Sequence, residues 1–146
     1  EDLYIYGDGS LKGELEEFVY KNRLKNKVHF LGKVSNVAEI LSKSKLFILS
    51  SDFEGLPNAL MEAMASGTPV VSTDCPCGGP KMLIKSRNAG ILVKCNDVKA
   101  LEDAINMVIY DKEKLKQMSV AVREAAKSFE SSKIFEEWEE YLNFIG

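Results

Sequence analysis

Short apolar runs alternate with amphipathic stretches along this chain, and that alternation leaves few folds open. The runs stand at Leu3–Tyr6, Val28–Leu31, Leu46–Leu49, Val70–Ser72 and Gly90–Val93. Between them, apolar residues recur at helical spacing: Leu11, Leu15, Phe18 and Val19 in one stretch, Val37, Ile40 and Leu41 in the next. Strand-length runs separated by helix-period segments are the pattern of a parallel sheet flanked by helices. Ser35 or Asn36 is the expected N-cap of the second helix. A third helix is predicted over Pro57–Ser66, because proline suits a first helical turn and Gly67 suits the stop. A short helical turn near Pro80–Lys85 is the fourth.

After Val93 the strand signals cease. Asp97 opens a helix carrying Leu101, Ile105, Val108 and Ile109, and Asp111 opens another with Leu115, Met118 and Val122. A last helix starts near Ser132 and holds Phe135, Trp138, Tyr141, Leu142 and Ile145. That stripe reads first as core packing, with part of it available as an interface. The expected fold class is α/β: a doubly wound parallel sheet, Rossmann-like, with a helical C-terminal tail. In such sheets ligands bind beyond the carboxyl ends of the strands. The stretches to watch are therefore Gly7–Ser10, Gly32–Ser35, Ser50–Asn58, Thr73–Pro80 and Lys94–Asp97.

At 146 residues, 45% of them hydrophobic, the chain suffices for one domain with its own core. A net charge of -3, with both signs interspersed, provides no electrostatic footprint for nucleic acid or an anionic membrane. No apolar run approaches the roughly 20 residues of a spanning helix. The cysteines are Cys75, Cys77 and Cys95; an odd number without a secretory signal points to reduced thiols in a cytoplasmic setting. The only histidine, His29, sits in another strand run, so Cys75 and Cys77 lack the ligands of a closed zinc site. All three cysteines are expected to be structural, and no metal is expected. One histidine and no G-x-S-x-G also speak against a serine-hydrolase triad.

Gly7 and Gly9 follow the first strand and precede a helix, where backbone can approach a phosphate near a helix N-terminus. They serve equally well as a plain strand-to-helix turn. The dinucleotide fingerprint G-x-G-x-x-G would need glycine at position 12, which is Lys12, so an NAD-binding domain loses its main support.

The densest chemistry lies in SSDFEGLPNALMEAMASGTPVV, from Ser50 to Val71. A strand ends in polar residues, Glu54-Gly55 turns, and Pro57 starts a helix whose first N–H groups, around Asn58 to Leu60, form a candidate anion site. Gly55 lets backbone come close to a ligand. Glu62 lies one to two turns into the helix. At about 1.5 Å of rise per residue, Glu54 and Glu62 bracket something the length of a nucleoside diphosphate carrying a sugar. A carboxylate accepts several hydroxyl hydrogen bonds, which suits sugars. A glycosidase acid/base pair is disfavoured, because a carboxylate beside an anion-binding helix end tends to stay ionised.

The same segment resembles the signature of the GT4-type retaining glycosyltransferases of GT-B fold, S-x-x-E-G-x-P-x-x-x-x-E-A-x-x-x-G-x-P-V-V. Ser51, Glu54, Gly55, Pro57, Glu62, Ala63, Gly67, Pro69, Val70 and Val71 match it in register. YGDGSLKGELEEFV, VHFLGKV, TDCPCGGP and NAGILV extend the likeness over nearly the whole chain. The resemblance implies that Glu62 binds the donor ribose and that Glu54, the candidate catalytic residue, contacts hydroxyls of the transferred sugar. It places the backbone of Gly55, Leu56, Pro57 and Asn58 near sugar and diphosphate, with Gly7 and Gly9 among the donor-binding residues. Backbone at Lys33 and Val34 would read the base edge. Retention needs no metal in this family, since protein cations and helix dipoles stabilise the departing diphosphate.

Two departures stand out. The strand carrying the family's arginine–lysine pair does not precede Leu3, and Met82 stands where many relatives carry glutamate. If the missing strand is the central one, Leu3–Tyr6 and Leu46–Leu49 flank a gap, and the chain is expected to be an excerpt or to pair with something. Residues 1–146 thus read as the nucleotide-sugar-binding C-terminal domain, without its first strand–helix unit and without the N-terminal acceptor domain. The expected function is transfer of a hexose or N-acetylhexosamine from a nucleotide sugar, UDP-linked by preference, to a glycan or lipid-linked acceptor. The fragment itself is expected to be inactive. The expected setting is cytoplasmic, with peripheral attachment of the full protein at the inner membrane face compatible with it. The alternative is a non-catalytic nucleotide- or partner-binding module that has kept the fold.

Overall fold

The computed structural model describes residues 1–84 and 88–145. It divides into two compact units, Glu1–Val37 and Ala38–Gly146. All strand pairs are parallel and alternate with helices.

The first unit holds β1 (Leu3–Tyr6), α1 (Lys12–Lys21) and β2 (Val28–Gly32). β1 and β2 pair in parallel, Leu3 opposite Val28 and Ile5 opposite Phe30. Gly7 extends the pairing by donating its N–H to the Gly32 carbonyl at 2.8 Å, so the loops after both strands leave from the same end of the sheet. α1 ends in a Schellman turn: Leu24 N–H reaches the Val19 carbonyl and Arg23 N–H the Tyr20 carbonyl. The residue in the left-handed position is Arg23, at φ 59°, where glycine is the usual occupant. His29 stacks on Tyr4 at 4.9 Å between ring centroids, beside Asp2.

In the second unit β3 (Phe47–Leu49), β4 (Val70–Asp74) and β5 (Ile91–Lys94) form a parallel sheet in that order. β4 is central and buried over Val70–Thr73, as a strand covered on both faces must be. Among the described residues β1 and β2 form a separate two-stranded ladder. Connections run through α3 (Asn58–Ala65) and α4 (Gly79–Leu83); α2 (Val37–Lys43) begins where the first unit ends. After the sheet come α5 (Val98–Ile109), α6 (Lys112–Ala126), a short 3-10 turn and α7 (Ser131–Ile145). Lys85, the end of the expected fourth helix, lies outside the described residues.

The core of this unit gathers Val71, Val93 and Ala104, with Leu46, Ile91, Ala100 and Leu101 packed around them. Leu60, Met64, Leu83, Val108 and Val122 are fully buried, each contributing about 1.5–3 kcal/mol by leaving water. The capping chemistry follows the sequence closely. Asp97 accepts from Ala100 N–H and Asp111 from Lys114 N–H, both at 2.9 Å. α3 stops in a second Schellman turn, with Gly67 at φ 77° as its left-handed residue. Arg123 of α6 packs against that glycine and donates to the Ser66 carbonyl at 3.3 Å, tying α6 to the end of α3.

The last helix departs from the first expectation. No side chain of α7 is buried, and its stripe of Phe135, Trp138, Tyr141, Leu142 and Ile145 is exposed to solvent. Trp138 and Tyr141 meet edge to face at 6.2 Å. Within this chain the stripe is a free apolar face rather than core.

Candidate functional site

The acidic segment occupies the carboxyl end of the three-stranded sheet, where an α/β sheet presents its loops. β3 leaves its ladder after Leu49, whose partner is Ser72. The next backbone acceptor, the Ser51 carbonyl, has no strand to meet, and side chains from the end of β4 satisfy it. The Thr73 hydroxyl donates to it, and so does the Cys75 thiol at 3.1 Å. These two are the near donors to the carbonyl's lone pairs, and the Cys95 thiol reaches it from 3.8 Å. Cys95, following β5, donates to the Asp74 carbonyl at 3.5 Å. Since Asp74 pairs with Lys94, Cys75 and Cys95 stand side by side just past the ladder. Burial pushes the Cys95 thiol up from its ordinary pKa, and the neighbouring Cys75 adds to the effect.

Held in this way, Ser51 turns its hydroxyl to the Glu54 carboxylate and donates to Oε1 at 2.8 Å. Glu54 is half-buried. Gly55 follows, pressed against Gly79 of the neighbouring loop so closely that a Cβ on Gly79 would fall on the Gly55 carbonyl oxygen. The glycine is required there by contact rather than by dihedral freedom. Gly78 before it is left-handed at φ 77°, and together they let the CGGP turn lie against the EGLP turn.

Pro57 caps α3 instead of forming its first residue, with extended backbone at φ −76° and ψ 105°. Its carbonyl accepts from Leu60 N–H at 3.1 Å, so Leu60 is not available to an outside anion as expected. No side chain caps the helix. The N–H groups of Asn58 and Ala59 are the ones a helix start leaves for an external acceptor. The buried face of α3 is Leu60, Ala63 and Met64. Glu62 is exposed, one turn beyond Asn58 on the open face.

Glu54, Gly55, Leu56, Pro57, Asn58 and Glu62 therefore lie on one continuous segment of the second unit, a turn running into α3. Gly7, Gly9, Lys33 and Val34 belong to the first, in the loops after β1 and β2. Gly7 has φ 115°, and the Gly9 carbonyl accepts from Lys12 N–H at 3.1 Å. A turn role for this pair is thus present, as one of its two readings required. The contribution that residue-by-residue reading missed is the clamp of Thr73 and Cys75 on Ser51. Its only advance signal is that all three fall in the sequence stretches expected to follow strands, although Thr73 lies within β4. Among the described residues no group of three or more His, Cys, Asp and Glu side chains is arranged to hold a metal. Nor is any helix among them long and apolar enough to cross a membrane.

Comparison with known proteins identifies the family. Residues 2–125 match the family model described as glycosyl transferases group 1. The chain belongs to that family. It is 39% identical, over 92% of its length, to a Campylobacter jejuni α-1,4-N-acetyl-D-galactosaminyltransferase acting on an undecaprenol-diphosphate-linked glycan. It is also 34% identical, over 93% of its length, to a glycosyltransferase of Methanocaldococcus jannaschii. The chain spans 36% and 40% of these relatives' lengths.

Among solved structures it superimposes on S. aureus TarM, in a mutant complexed with fondaparinux, α-GlcNAc-glycerol and UDP. The TM-score is 0.87 at 25% identity, covering 95% of this chain and 28% of that one. Anabaena HepE in complex with UDP-glucose gives a TM-score of 0.85 at 25% identity, with 97% and 40% covered. The chain is thus an α/β domain matching the C-terminal part of GT-B structures.

Proposed function

We propose that this chain is the donor-binding domain of a retaining glycosyltransferase that moves a hexose or N-acetylhexosamine from a UDP-sugar to a glycan or lipid-linked acceptor. The observation that carries the reading is the order of groups along one segment. A carboxylate fixed by Ser51 stands first, then an uncapped helix start, then a second carboxylate on the open face of that helix. Glu54 takes hydroxyls of the transferred sugar, the backbone from Gly55 to Asn58 faces sugar and diphosphate, and Glu62 takes the ribose. Separating the carboxylates from the anion's middle limits their repulsion, while the helix N-terminus and its N–H groups favour the diphosphate. The backbone of Gly7, Gly9, Lys33 and Val34 is assigned to donor binding by family resemblance. UDP and UDP-glucose in the solved structures of similar proteins support a uridine donor.

The acceptor site belongs to a further domain, and the chain by itself transfers no sugar. The alternative, a module that binds nucleotide without turnover, draws on one feature: Met82, exposed on α4 at the position where the family resemblance implies glutamate. Titration calorimetry with UDP, GDP and NADH on the complete protein that carries this chain tests the proposal. Heat with UDP and none with NADH is expected. Silence with both nucleoside diphosphates would sink it, and turnover of a UDP-sugar would remove the non-catalytic alternative.

A further inference from the structure

The strongest constraint on the candidate sugar-binding carboxylate comes from a residue that itself is not assigned to the donor. Ser51 has its carbonyl held closely by two side-chain donors, Thr73 Oγ1 and Cys75 Sγ, with the Cys95 thiol a longer third at 3.8 Å, and its hydroxyl spent on Glu54 Oε1. Both holding residues sit at the end of β4, the central buried strand, and both are buried. The chain from the core to the carboxylate is therefore short and continuous: strand, side-chain clamp, Ser51, Glu54. A loop carboxylate without such a support samples several rotamers. Each unproductive rotamer reduces the fraction of molecules that meet a sugar hydroxyl correctly.

We propose that Ser51 is a positioning residue for sugar recognition, acting through Glu54, and that Thr73 and Cys75 are the clamp that fixes it. This rests on the reading of Glu54 as the sugar contact. Its signature is selective. Ribose and diphosphate are assigned to Glu62 and to the start of α3, so loss of the Ser51 hydroxyl leaves UDP binding intact and weakens only the sugar's share.

The test measures Kd for UDP, UDP-glucose and UDP-N-acetylglucosamine on the complete protein that carries this chain. It compares wild type with Ser51→Ala, Ser51→Thr, Thr73→Val and Glu54→Gln. For Ser51→Ala, the ratio of UDP-sugar to UDP dissociation constants is expected to rise about tenfold, the scale of one hydrogen bond to a charged group, with UDP itself unchanged. Ser51→Thr, which keeps the hydroxyl, restores the ratio. Thr73→Val shifts it in the same direction, and decides the matter should Ser51→Ala fail to fold. Equal weakening of UDP and UDP-sugar, or a threonine variant no better than alanine, would overturn the role. So would an unchanged ratio in Ser51→Ala beside a raised one in Glu54→Gln. An unchanged ratio in Glu54→Gln would overturn the assignment of Glu54 instead.

Discussion

Gly79 and Gly55 touch backbone to backbone, with no room for a side chain between them. The contact brings the turn after β4 against the turn that carries Glu54, so two strand-end loops are held at one fixed spacing. The Pro57 ring also lies under the missing Cβ, at 3.1 Å from where it would be.

A methyl group at position 79 must push the Glu54–Pro57 turn aside. Gly79→Ala is expected to destabilise the protein by about 1–3 kcal/mol, the usual cost of overpacking. Urea or thermal denaturation reads this directly. A variant as stable as wild type would show that the two turns are not locked together.

Arg23 gives a prediction of opposite sign. Its φ of 59° closes the Schellman turn after α1, and a Cβ makes that conformation costly. Arg23→Gly is expected to stabilise by about 0.5–1 kcal/mol, net of glycine's greater freedom in the unfolded chain. A rise in Tm checks it; a fall would mean that the arginine side chain supplies more than the turn costs.

The cysteines separate by reactivity. Cys77 is exposed, whereas Cys95 is half-buried beside buried Cys75. Burial, then the adjacent Cys75, raises the Cys95 pKa, so its thiol form persists to higher pH than an ordinary cysteine's, about 8.5. Iodoacetamide is expected to modify Cys77 first, with the Cys95 rate climbing only above that range. Cys75→Ala moves the rise back toward lower pH. The sign for stability is the same: the contribution is present below the unfolded pKa and is lost as pH rises through the folded one. Site-resolved mass spectrometry over a pH series measures the rates, and Cys95 reacting at or below the pH of a free thiol would contradict the account.

Local rules made much of this structure legible. Asp97 and Asp111 cap α5 and α6 as their side chains dictate, and Gly67 ends α3 in a left-handed turn. Leu46 was expected in a strand because it is apolar; it packs on the core, but the ladder begins at Phe47. Pro57 shows a similar limit. Its fixed φ suits a helix start, yet its ψ of 105° makes it the cap, which consumes Leu60 N–H in a bond to its carbonyl. The clamp on Ser51 was hidden for another reason: its partners are 22 and 24 residues away. No periodicity encodes such a contact, and only the parallel register of β3, β4 and β5 creates it. α7 fails in the opposite direction, because an apolar stripe reports that a face wants covering and not what covers it.

In the proposed function, the two carboxylates flanking the start of α3 have divided roles, Glu62 toward the nucleotide and Glu54 toward the sugar. Calorimetric titration of UDP into Glu62→Ala and Glu54→Ala variants of the complete protein tests it most directly. Glu62→Ala is expected to weaken UDP by about tenfold or more, the loss of charge-assisted hydrogen bonds, while Glu54→Ala binds UDP as wild type does. UDP binding lost on Glu54→Ala and kept on Glu62→Ala would contradict it.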